Sequence, residues 1–493
     1  MLTGEGEGLK ARIFAEENKK WWTLAAVAFG LFMIMLDNTV VNVALPSIER
    51  DLKMSISSLE WIVTAYALVF ASLLITGGKL ADLFGRRRIF VVGLVVFTLS
   101  SLACGLAPTA GFLIGARAVQ GIGAALMTPA TLSIITATFP PRLRGTAIGI
   151  WAGVSAMALA IGPLAGGLIV DNINWNWIFF VNVPVGAAGI VASRIFITES
   201  RDTSHEQSID IPGLLTSGGS LFALTYALIE GNRHGWSSPE IVGLFAAAAA
   251  LMGAFVLLEH RQRLPMLDLS LFKNGAFVGA NVVALMVSLG MFGVFFYVSL
   301  YIQNVLGYSP TKAGAMFLPM TLLIIVVAPF AGRASDRVGS RWLMGGGMTL
   351  LGISLLFYQR AGVHSDFWTL LPAMIIGGIG MASTMSPMTS AAMASVPVDK
   401  AGVGSGVLNS FRQVGGALGI AAMGAILASY LPVGTSTRSL LGRQEYVNGM
   451  HAALLVSAGI AFAAAVVAIV LVRTQPAVER AHIREMDANV EAA

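Results

Sequence analysis

The sequence is poor in charge and nearly free of cysteine. Only 12% of its 493 residues are charged, about half the usage of soluble domains. The single cysteine, Cys104, excludes a disulfide framework and a cysteine-ligated metal cluster, and the six histidines have no metal-ligand spacing. There is also no phosphate loop ending in Gly-Lys-Ser/Thr and no Gly-x-Ser-x-Gly nucleophile motif. ATP-driven transport, a metal site and an enzymatic activity are therefore not expected, and no cofactor is predicted.

Long apolar runs take the place of charge. Hydrophobic residues make up 56% of the chain, and the mean hydropathy is +0.77. Many runs reach the roughly 18 to 20 residues that cross the hydrocarbon core of a bilayer. This pattern predicts an all-α polytopic membrane protein with fourteen transmembrane helices. The predicted spans lie near 21–45, 57–78, 89–107, 111–138, 145–170, 175–193, 212–230, 240–258, 275–301, 312–332, 342–359, 367–395, 402–430 and 449–472.

Lysine and arginine are distributed unevenly between the predicted loops. If both termini are cytoplasmic, 22 of the 31 basic residues fall in inside segments, seven fall outside and two lie within spans. Cytoplasmic loops of membrane proteins carry such an excess, so the chain is predicted to be a multi-pass protein of the inner or plasma membrane with both termini in the cytoplasm. The net charge of +5 then faces anionic lipid, and nucleic acid is not an expected partner.

Asp37 interrupts the first apolar run at a depth where a carboxylate is costly. Arg117, in span 4, lies at a similar depth, because a rise of ~1.5 Å per residue puts both roughly 9 to 12 Å below the outer surface. A conformational change that alters their pairing would alter the proton affinity of Asp37, as proton coupling requires. A permanent ion pair joining spans 1 and 4 is the structural alternative. Glu230, at the outer end of span 7, is taken as the only other acid near membrane depth.

Two predicted inner loops repeat one pattern. A glycine is followed four residues later by Asp and seven residues later by a second glycine, with basic residues beside them. The pattern occurs after span 2 as Gly78–Arg88 and after span 10 as Gly332–Arg341. Two halves on one plan indicate a transporter built from parallel repeats with its site between them. The predicted segments are an N-terminal six-helix bundle at 1–200, two inserted helices at 201–265, a C-terminal six-helix bundle at 266–475 and a cytoplasmic tail at 476–493.

Polar, aromatic and methionine side chains recur on predicted helix faces in spans 1, 4, 9, 12 and 13. A cavity of aromatics and methionines with few polar groups suits a bulky amphipathic ligand, although such residues also pack against one another in membrane bundles. For Arg412, pairing with backbone carbonyls is expected ahead of binding an anionic substrate. The candidate substrate-binding residues are Asn38, Asn42, Gln120, Phe292, Phe296, Tyr297, Tyr301, Met385, Asn409 and Arg412.

Several longer stretches occur in an order that resembles a known family. They are Asp37–Pro46, Gly78–Arg88, Arg117–Ala125, Gly153 with Gly162–Gly167, Trp175–Gly186 and Asp210–Gly213. With them the chain resembles the major facilitator superfamily, and more narrowly its fourteen-span drug:proton antiporter family. The resemblance implies the major facilitator fold, with two six-helix bundles plus two inserted helices, and an exporter.

The resemblance also implies roles for two motifs. The inner-loop motif is expected to form a gate latch that holds the outward-facing state, with Asp82 against the free amides at the N-terminus of span 13. A solvated loop that follows the positive-inside rule is the alternative, above all for Arg86–Arg88. The glycines of span 5 are expected to let helices approach closely, and in the family this Gly-Pro signature accompanies exporters. The latch residues are Gly78, Asp82, Gly85, Arg86, Arg87 and Asp336. The span 5 residues are Gly153, Gly162, Pro163, Gly166 and Gly167.

The sequence therefore predicts a secondary active exporter that exchanges inward protons for an outward-moving amphipathic compound or drug by alternating access. Asp37 is the predicted proton carrier, and Arg117 tunes its affinity. A dedicated exporter of one endogenous metabolite or lipid, a symporter and a non-transporting receptor are the alternatives. The expected partners are a small amphipathic substrate, protons and the lipid bilayer. The chain is expected to work as a monomer that draws its energy from the proton gradient.

Overall fold

The computed structural model describes residues 16–201, 210–262, 265, 267, 269–396, 401–431 and 440–472. Regular structure within these ranges is helical throughout, and each predicted span corresponds to one long helix. The predicted tail at 476–493 lies outside the described residues. The helices are α1 Glu16–Leu52, α2 Ile56–Phe84, α3 Arg86–Gly105, α4 Ala110–Thr138, α5 Pro141–Asn172, α6 Asn182–Phe196, α7 Ile211–His234, α8 Pro239–Arg261, α9 Gly275–Leu300, α10 Leu318–Val338, α11 Ser340–Phe357, α12 Phe367–Ala394, α13 Ala401–Tyr430 and α14 Leu440–Leu471. Short helical segments precede α6 (Trp177–Phe180) and α10 (Pro310–Met316), and a π-helical turn, Tyr301–Val305, follows α9.

Thirteen helical segments within the described ranges are long and apolar enough to cross a membrane. The helix outside this set is α11, an 18-residue helix that contains Arg341 and three consecutive glycines. It packs between α12 and α14. A Cβ on Gly347 would lie 2.7 Å from the Gly380 carbonyl of α12, and one on Gly380 would lie 2.8 Å from the Gly347 carbonyl. Small residues at this crossing let the two helices approach closely.

Polar caps mark where several helices begin. Ser55 and Thr109 each accept a hydrogen bond from the amide three residues later, at the starts of α2 and α4. Asp366 caps α12, and the hydroxyl and amide of Thr369 both donate to its carboxylate. These two bonds lower the pKa of Asp366. The caps satisfy amides that a helix start would otherwise leave free.

The helices form two bundles and an inserted hairpin. In the N bundle, α1–α6, α4 packs on α2 and α3, and α1 packs on α5. In the C bundle, α9–α14, α9 packs on α13, and α12 packs on α10 and α11. The inserted helices α7 and α8 pack on each other, and α7 also contacts α2 and α13. The predicted two bundles with two inserted helices are thus observed, whereas the exact segment boundaries stay a prediction.

The repeated inner-loop pattern forms the same tight turn in both bundles. Gly85 separates α2 from α3 with φ 110°, and Gly339 separates α10 from α11 with φ 91°. Only glycine adopts these backbone angles at no steric cost. The second glycine of each repeat is therefore required by the backbone.

α2 packs along α13, and further hydrogen bonds join the two bundles at one end of the molecule. We call this end outer, because the distribution of basic residues predicts that it is extracellular, and we call the opposite end inner. The Ser299 hydroxyl of α9 donates to the Asn42 carbonyl of α1 at 3.1 Å. The Thr311 amide donates to the Asp171 carboxylate of α5 at 2.8 Å. These contacts define an outer seam, which is closed in this structure.

Candidate functional site

Asp37 and Arg117 form a buried ion pair within the N bundle. Their exposed fractions are 2% and 1%, and the Arg117 guanidinium donates to Asp37 Oδ2 at 2.5 Å. The Gln120 amide donates to the other carboxylate oxygen at 3.0 Å, and its own carbonyl oxygen accepts from Arg117 at 2.7 Å. The sequence-predicted pair is therefore brought together and closed into a triangle by Gln120.

Further contacts hold Arg117 in place. Its Nε donates to the Ile62 carbonyl of α2 at 3.2 Å. Its guanidinium carbon lies 4.3 Å from the centre of the Tyr66 ring, which is a cation–π contact. Tyr66 is absent from the sequence-predicted site, because an aromatic residue in an apolar span gives no local sign that it covers a cation.

The polar candidates in span 1 and span 4 are occupied by protein contacts. Gln120 makes two bonds to the ion pair, so it is not a free substrate ligand in this state. The side-chain amides of Asn38 and Asn42 donate to carbonyls one turn earlier in α1. The Asn42 side-chain oxygen is buried and has no hydrogen-bond partner. Asn42 therefore keeps a buried polar atom that no described group uses.

The aromatic candidates of α9 pack between helices. Phe296, Tyr297 and Tyr301 are each at most 1% exposed, and the Tyr301 hydroxyl donates to the Gly362 carbonyl at 2.5 Å. Phe292 is half-buried and lies against Gly416 of α13. In this outer-closed state, three of the four fill the protein interior and do not line a cavity.

Arg412 carries an unpaired charge within α13. It lies in the inner half of α13, is half-buried, and has no hydrogen bond or ion pair with any described residue. The pairing with backbone carbonyls expected from the sequence is therefore absent. Met385 and Asn409 are also half-buried, and the Asn409 amide donates to the Ser405 carbonyl at 3.0 Å.

The inner-loop motif of the N bundle is held by an ion pair across its turn. Arg86 donates to Asp82 at 2.9 Å, and both side chains are partly exposed. Gly78, one turn before Asp82, lies against Pro129 of α4. A Cβ added to Gly78 would lie 3.4 Å from the Cβ of Pro129. The expected placement of Asp82 against the start of α13 belongs to the outward-facing state and stays a prediction. In this outer-closed state the Asp82 carboxylate is bonded to Arg86 on the following helix. The Asp336 side chain lies outside the described part of the structure.

Glu199 is a partner of this motif that the sequence did not reveal. Its carboxylate accepts from the Arg87 amide at 3.0 Å and lies 3.8 Å and 3.7 Å from the side chains of Arg87 and Arg88. Arg87 also donates to the Ile197 carbonyl at 3.3 Å. The arginines therefore tie the α2–α3 turn to the segment that follows α6.

The glycines in the outer half of α5 allow close contact with α1. A Cβ on Gly162 would overlap the Thr39 side chain, and one on Gly166 would lie 3.0 Å from the Val40 carbonyl. These contacts join α1, which carries Asp37, to the helix that forms part of the outer seam. The two helices are therefore in close contact along this face.

The same helix also contacts the C bundle. A Cβ on Gly167 would overlap the Pro310 carbonyl, and the Pro163 carbonyl occupies the space beside Gly314. Gly153, in the inner half of α5, has no atom within 4 Å of its Cβ position. Close approach is thus observed at the outer glycines of this motif and not at Gly153.

Replacing Gly167 by valine should open the outer seam. The added side chain collides with Pro310 only while the bundles are in contact, and overpacking of this kind costs about 1–3 kcal/mol, roughly a five- to 150-fold change in the closed-to-open ratio. Distances between spin labels on Gly111, exposed at the outer start of α4, and His364, exposed in the outer loop before α12, should lengthen. Gly149→Val is the matched control, because its Cβ position is open. An unchanged distance distribution in Gly167→Val would contradict this view of the seam.

A second buried acid lies near the outer seam. Glu60 of α2 is 2% exposed, and Glu259, near the inner end of α8, is 3% exposed. The expectation that Asp37 and Glu230 are the only acids near membrane depth was therefore wrong. Glu60 falls inside the predicted span 57–78, so a check of each span for carboxylates would have found it.

Two helical bundles that meet at a closed seam, with a buried acid–base pair in one of them, define a membrane transport protein. The family model of the Major Facilitator Superfamily matches residues 27–420 and 280–491. In sequence, the chain is 38% identical over 473 residues to a puromycin resistance protein of Streptomyces alboniger, covering 94% of this chain and 93% of that protein. It is 36% identical over 411 residues to a tetracenomycin C resistance and export protein of Streptomyces glaucescens, covering 83% and 76%.

The fold is also similar to that of solved transporters. A bacterial homolog of the human lysosomal transporter Spinster, in an inward-facing and unoccupied conformation, matches with a TM-score of 0.65 and 18% identity, covering 92% of this chain and 97% of that one. The chain belongs to the major facilitator superfamily, as its motifs predicted. It is a multi-pass membrane transport protein and not an enzyme.

Proposed function

We propose that this protein exports amphipathic small molecules, including antibiotics, in exchange for protons. The observation that carries the proposal is the buried Asp37–Arg117–Gln120 triangle, a titratable acid held at membrane depth by one cation and one amide. Ionisable groups in such positions mark ion pathways and proton relays. Relatives that share over a third of the sequence are named for resistance to, or export of, puromycin and tetracenomycin C.

Proton uptake by Asp37 would release Arg117 from α1. A neutral carboxyl loses its ionic attraction to the guanidinium, while Arg117 keeps the Ile62 carbonyl and the Tyr66 ring. The energetic tie between α1 and α4 therefore depends on the protonation of Asp37. Because α1 packs against the glycines of α5, a shift of α1 reaches the outer seam. A proton entering from outside is in this way linked to the alternation of the two bundles.

Arg412 supports a substrate with an acidic or neutral polar group. It is half-buried in the inner half of α13 and has no hydrogen bond or ion pair with any described residue. Asp37 is already paired with Arg117 and offers little to a second positive charge. We therefore favour neutral or zwitterionic amphiphiles whose negative end faces Arg412.

Reconstitution tests the proposed function. Purified protein is reconstituted in liposomes whose outside is more acidic than the inside, so that protons are driven inward. Lipophilic dyes should move in the direction opposite to the protons, and a protonophore should stop this movement. Competition among chemically unrelated compounds would support a multidrug exporter. Competition by a single metabolite or lipid alone would support a dedicated exporter. Movement of dye and protons in the same direction would indicate a symporter, and no response to the gradient would overturn the proposal.

Replacing Arg412 by glutamine should discriminate between substrates by charge. Hydrogen bonds to charged groups contribute about 1.5–3 kcal/mol, so the affinity for compounds with a carboxylate or phenolate should fall roughly ten- to 150-fold. Binding of neutral dyes should change little. Arg412→Lys is the control, because it keeps the charge. Equal losses for acidic and neutral compounds, measured by fluorescence titration, would show that Arg412 has a packing role only.

A further inference from the structure

Glu60 occupies the interface between the two bundles. It projects from α2 of the N bundle, and its Oε1 lies 3.0 Å from the hydroxyl oxygen of Tyr297 on α9 of the C bundle. The carboxylate also fills the space beside Gly424 of α13, where a Cβ would overlap it. Glu60 and Tyr297 are 2% and 1% exposed. An acid on one bundle is thus enclosed by helices of the other.

The charges around Glu60 provide no counterion. Glu230 of α7 and Tyr446 of α14 interact with it electrostatically, and Glu49 of α1 acts on Tyr446. Glu60 has no ion pair with any described residue. Of the two basic residues at the end of α7, Arg233 is 78% exposed and lies 3.7 Å from Glu230, and His234 pairs with Glu240. A bare carboxylate enclosed in this way would cost several kcal/mol.

Counting hydrogens at Tyr297 points to a neutral Glu60. The Tyr297 hydroxyl oxygen lies 2.7 Å from the Ile420 carbonyl and 3.0 Å from Glu60 Oε1. A tyrosine hydroxyl has one hydrogen, so it cannot donate to both oxygens. The Ile420 carbonyl can only accept, whereas a protonated carboxyl can donate. Both short contacts are satisfied if Tyr297 donates to Ile420 and the Glu60 O–H donates to the Tyr297 oxygen. Tyr446 does not compete, because its hydroxyl donates to the Tyr297 backbone carbonyl at 2.9 Å.

We infer that Glu60 is a second proton-binding residue of the transport cycle, which must carry a proton for the outer seam to close. When α2 separates from α9 and α13, Glu60 meets the outer solution and exchanges its proton with water. A charged Glu60 keeps the seam open, and a protonated Glu60 allows it to close. The inference rests on the proposed function, because it assigns Glu60 a step in the proton-coupled cycle proposed above. The proton at Glu60 comes from outer water and returns there, so no further reactant is needed.

The test measures how outer pH controls the seam. Spin labels on Gly111→Cys and His364→Cys, in a Cys104→Ser and Asp37→Asn background, report the outer distance in lipid nanodiscs without titration of Asp37. One proton per closure limits the change in the closed-to-open ratio to about tenfold per pH unit. With Glu60 present, the open-to-closed ratio should grow between pH 5.5 and 8.5, by up to about tenfold for each pH unit above the pH at which Glu60 titrates. Glu60→Gln, which stays neutral, should reduce the change to less than twofold, whereas Glu60→Asp should retain it.

A second variant keeps the inference testable if Glu60→Gln does not fold. Tyr297→Phe removes the acceptor of the Glu60 proton, which weakens the closed state by about 1 kcal/mol. The pH midpoint of opening should therefore move down by roughly 0.7 unit. A pH response that persists in Glu60→Gln, no response in the parent, or an unmoved midpoint in Tyr297→Phe would each overturn the inference.

Failure of the inference and failure of the proposed function give different results. If liposomes with the unmodified protein export dye under a pH gradient, but Glu60→Gln leaves the pH dependence of the outer distance unchanged, proton-coupled export stands and the role of Glu60 is wrong. If the seam responds to pH through Glu60 but dye movement ignores the gradient, the proton site stands and coupled export is wrong.

Discussion

Asp37→Asn should reduce gradient-driven efflux to the rate of protein-free liposomes while substrate binding remains measurable. Asparagine has nearly the shape of aspartate and can still accept from Gln120, but it cannot take up a proton. The tie between α1 and α4 then no longer changes with proton binding, and Asp37 can no longer carry a proton from the outer to the inner side. Glu60 does not replace it, because the proton at Glu60 returns to the outer water. Efflux of a lipophilic dye under an imposed pH gradient measures the loss, and fluorescence titration of the same dye measures binding.

An exposed carboxylate provides the matched control for this experiment. Glu240 lies in the first turn of α8, is exposed, and pairs with His234 at 2.7 Å. Glu240→Gln should transport at the rate of the unmodified protein. Exchange of labelled for unlabelled substrate without a pH gradient should survive in Asp37→Asn, because exchange needs no proton. Full gradient-driven pumping by Asp37→Asn would remove the coupling assignment.

Arg117→Leu should lower the free energy of unfolding by about 3–5 kcal/mol, because it leaves the Asp37 carboxylate buried without its cation. Adding Asp37→Asn to the same chain should restore most of this loss, since a neutral amide needs no counterion. Unfolding in detergent, followed by tryptophan fluorescence, gives the four free energies of the double-mutant cycle. An Arg117→Leu variant as stable as the unmodified protein would contradict the buried pair.

The double variant also separates the two interpretations of the pair. If the pair serves only to join α1 and α4, a stable Asp37→Asn/Arg117→Leu protein should regain gradient-driven transport. If Asp37 carries the proton, the double variant should fold and bind substrate yet ignore the gradient. The same liposome assay distinguishes these results.

Local patterns in the sequence were sufficient for the fold. The apolar runs predicted one helix at each of the fourteen positions, because crossing a bilayer requires both length and low charge. The repeated Gly-Asp-Gly spacing predicted two like halves, and the turns at Gly85 and Gly339 share one backbone geometry. The shortfall of α11 in apolar character follows from Arg341 and its glycines, which close packing against α12 and α14 compensates.

The candidate site was predictable only where charge had no other explanation. Asp37 and Arg117 could be paired from their depth, because each is costly alone in the membrane. Tyr66 and Glu199 could not be found in this way, because an aromatic residue or an acid at a span end is ordinary by itself. The contact of Glu60 with Tyr297 joins residues 237 positions apart. Such contacts depend on how helices cross, which local sequence spacing does not specify.

The aromatic candidates of α9 illustrate the opposite error. Their spacing suggested a ligand-facing surface, yet Phe296 and Tyr301 are fully enclosed by protein. In a bundle of apolar helices the same residues can face a cavity or a neighbouring helix, and hydrophobicity does not distinguish the two. Arg412 was the reverse case, because the structure gave it no partner where backbone pairing was expected.

Cys104 is a native probe of local opening around the Asp37–Arg117 pair. The thiol is buried in α3, and its sulfur lies 3.7 Å from the Gln120 side-chain oxygen. Gln120 in turn is hydrogen-bonded to both Asp37 and Arg117. A buried thiol of this kind is inert towards alkylating reagents. A fluorogenic maleimide added to the otherwise unaltered protein should therefore not react with Cys104 until the helices around Asp37, Arg117 and Gln120 separate. The rate at which its fluorescence appears would measure local opening of that pocket, with no engineered label.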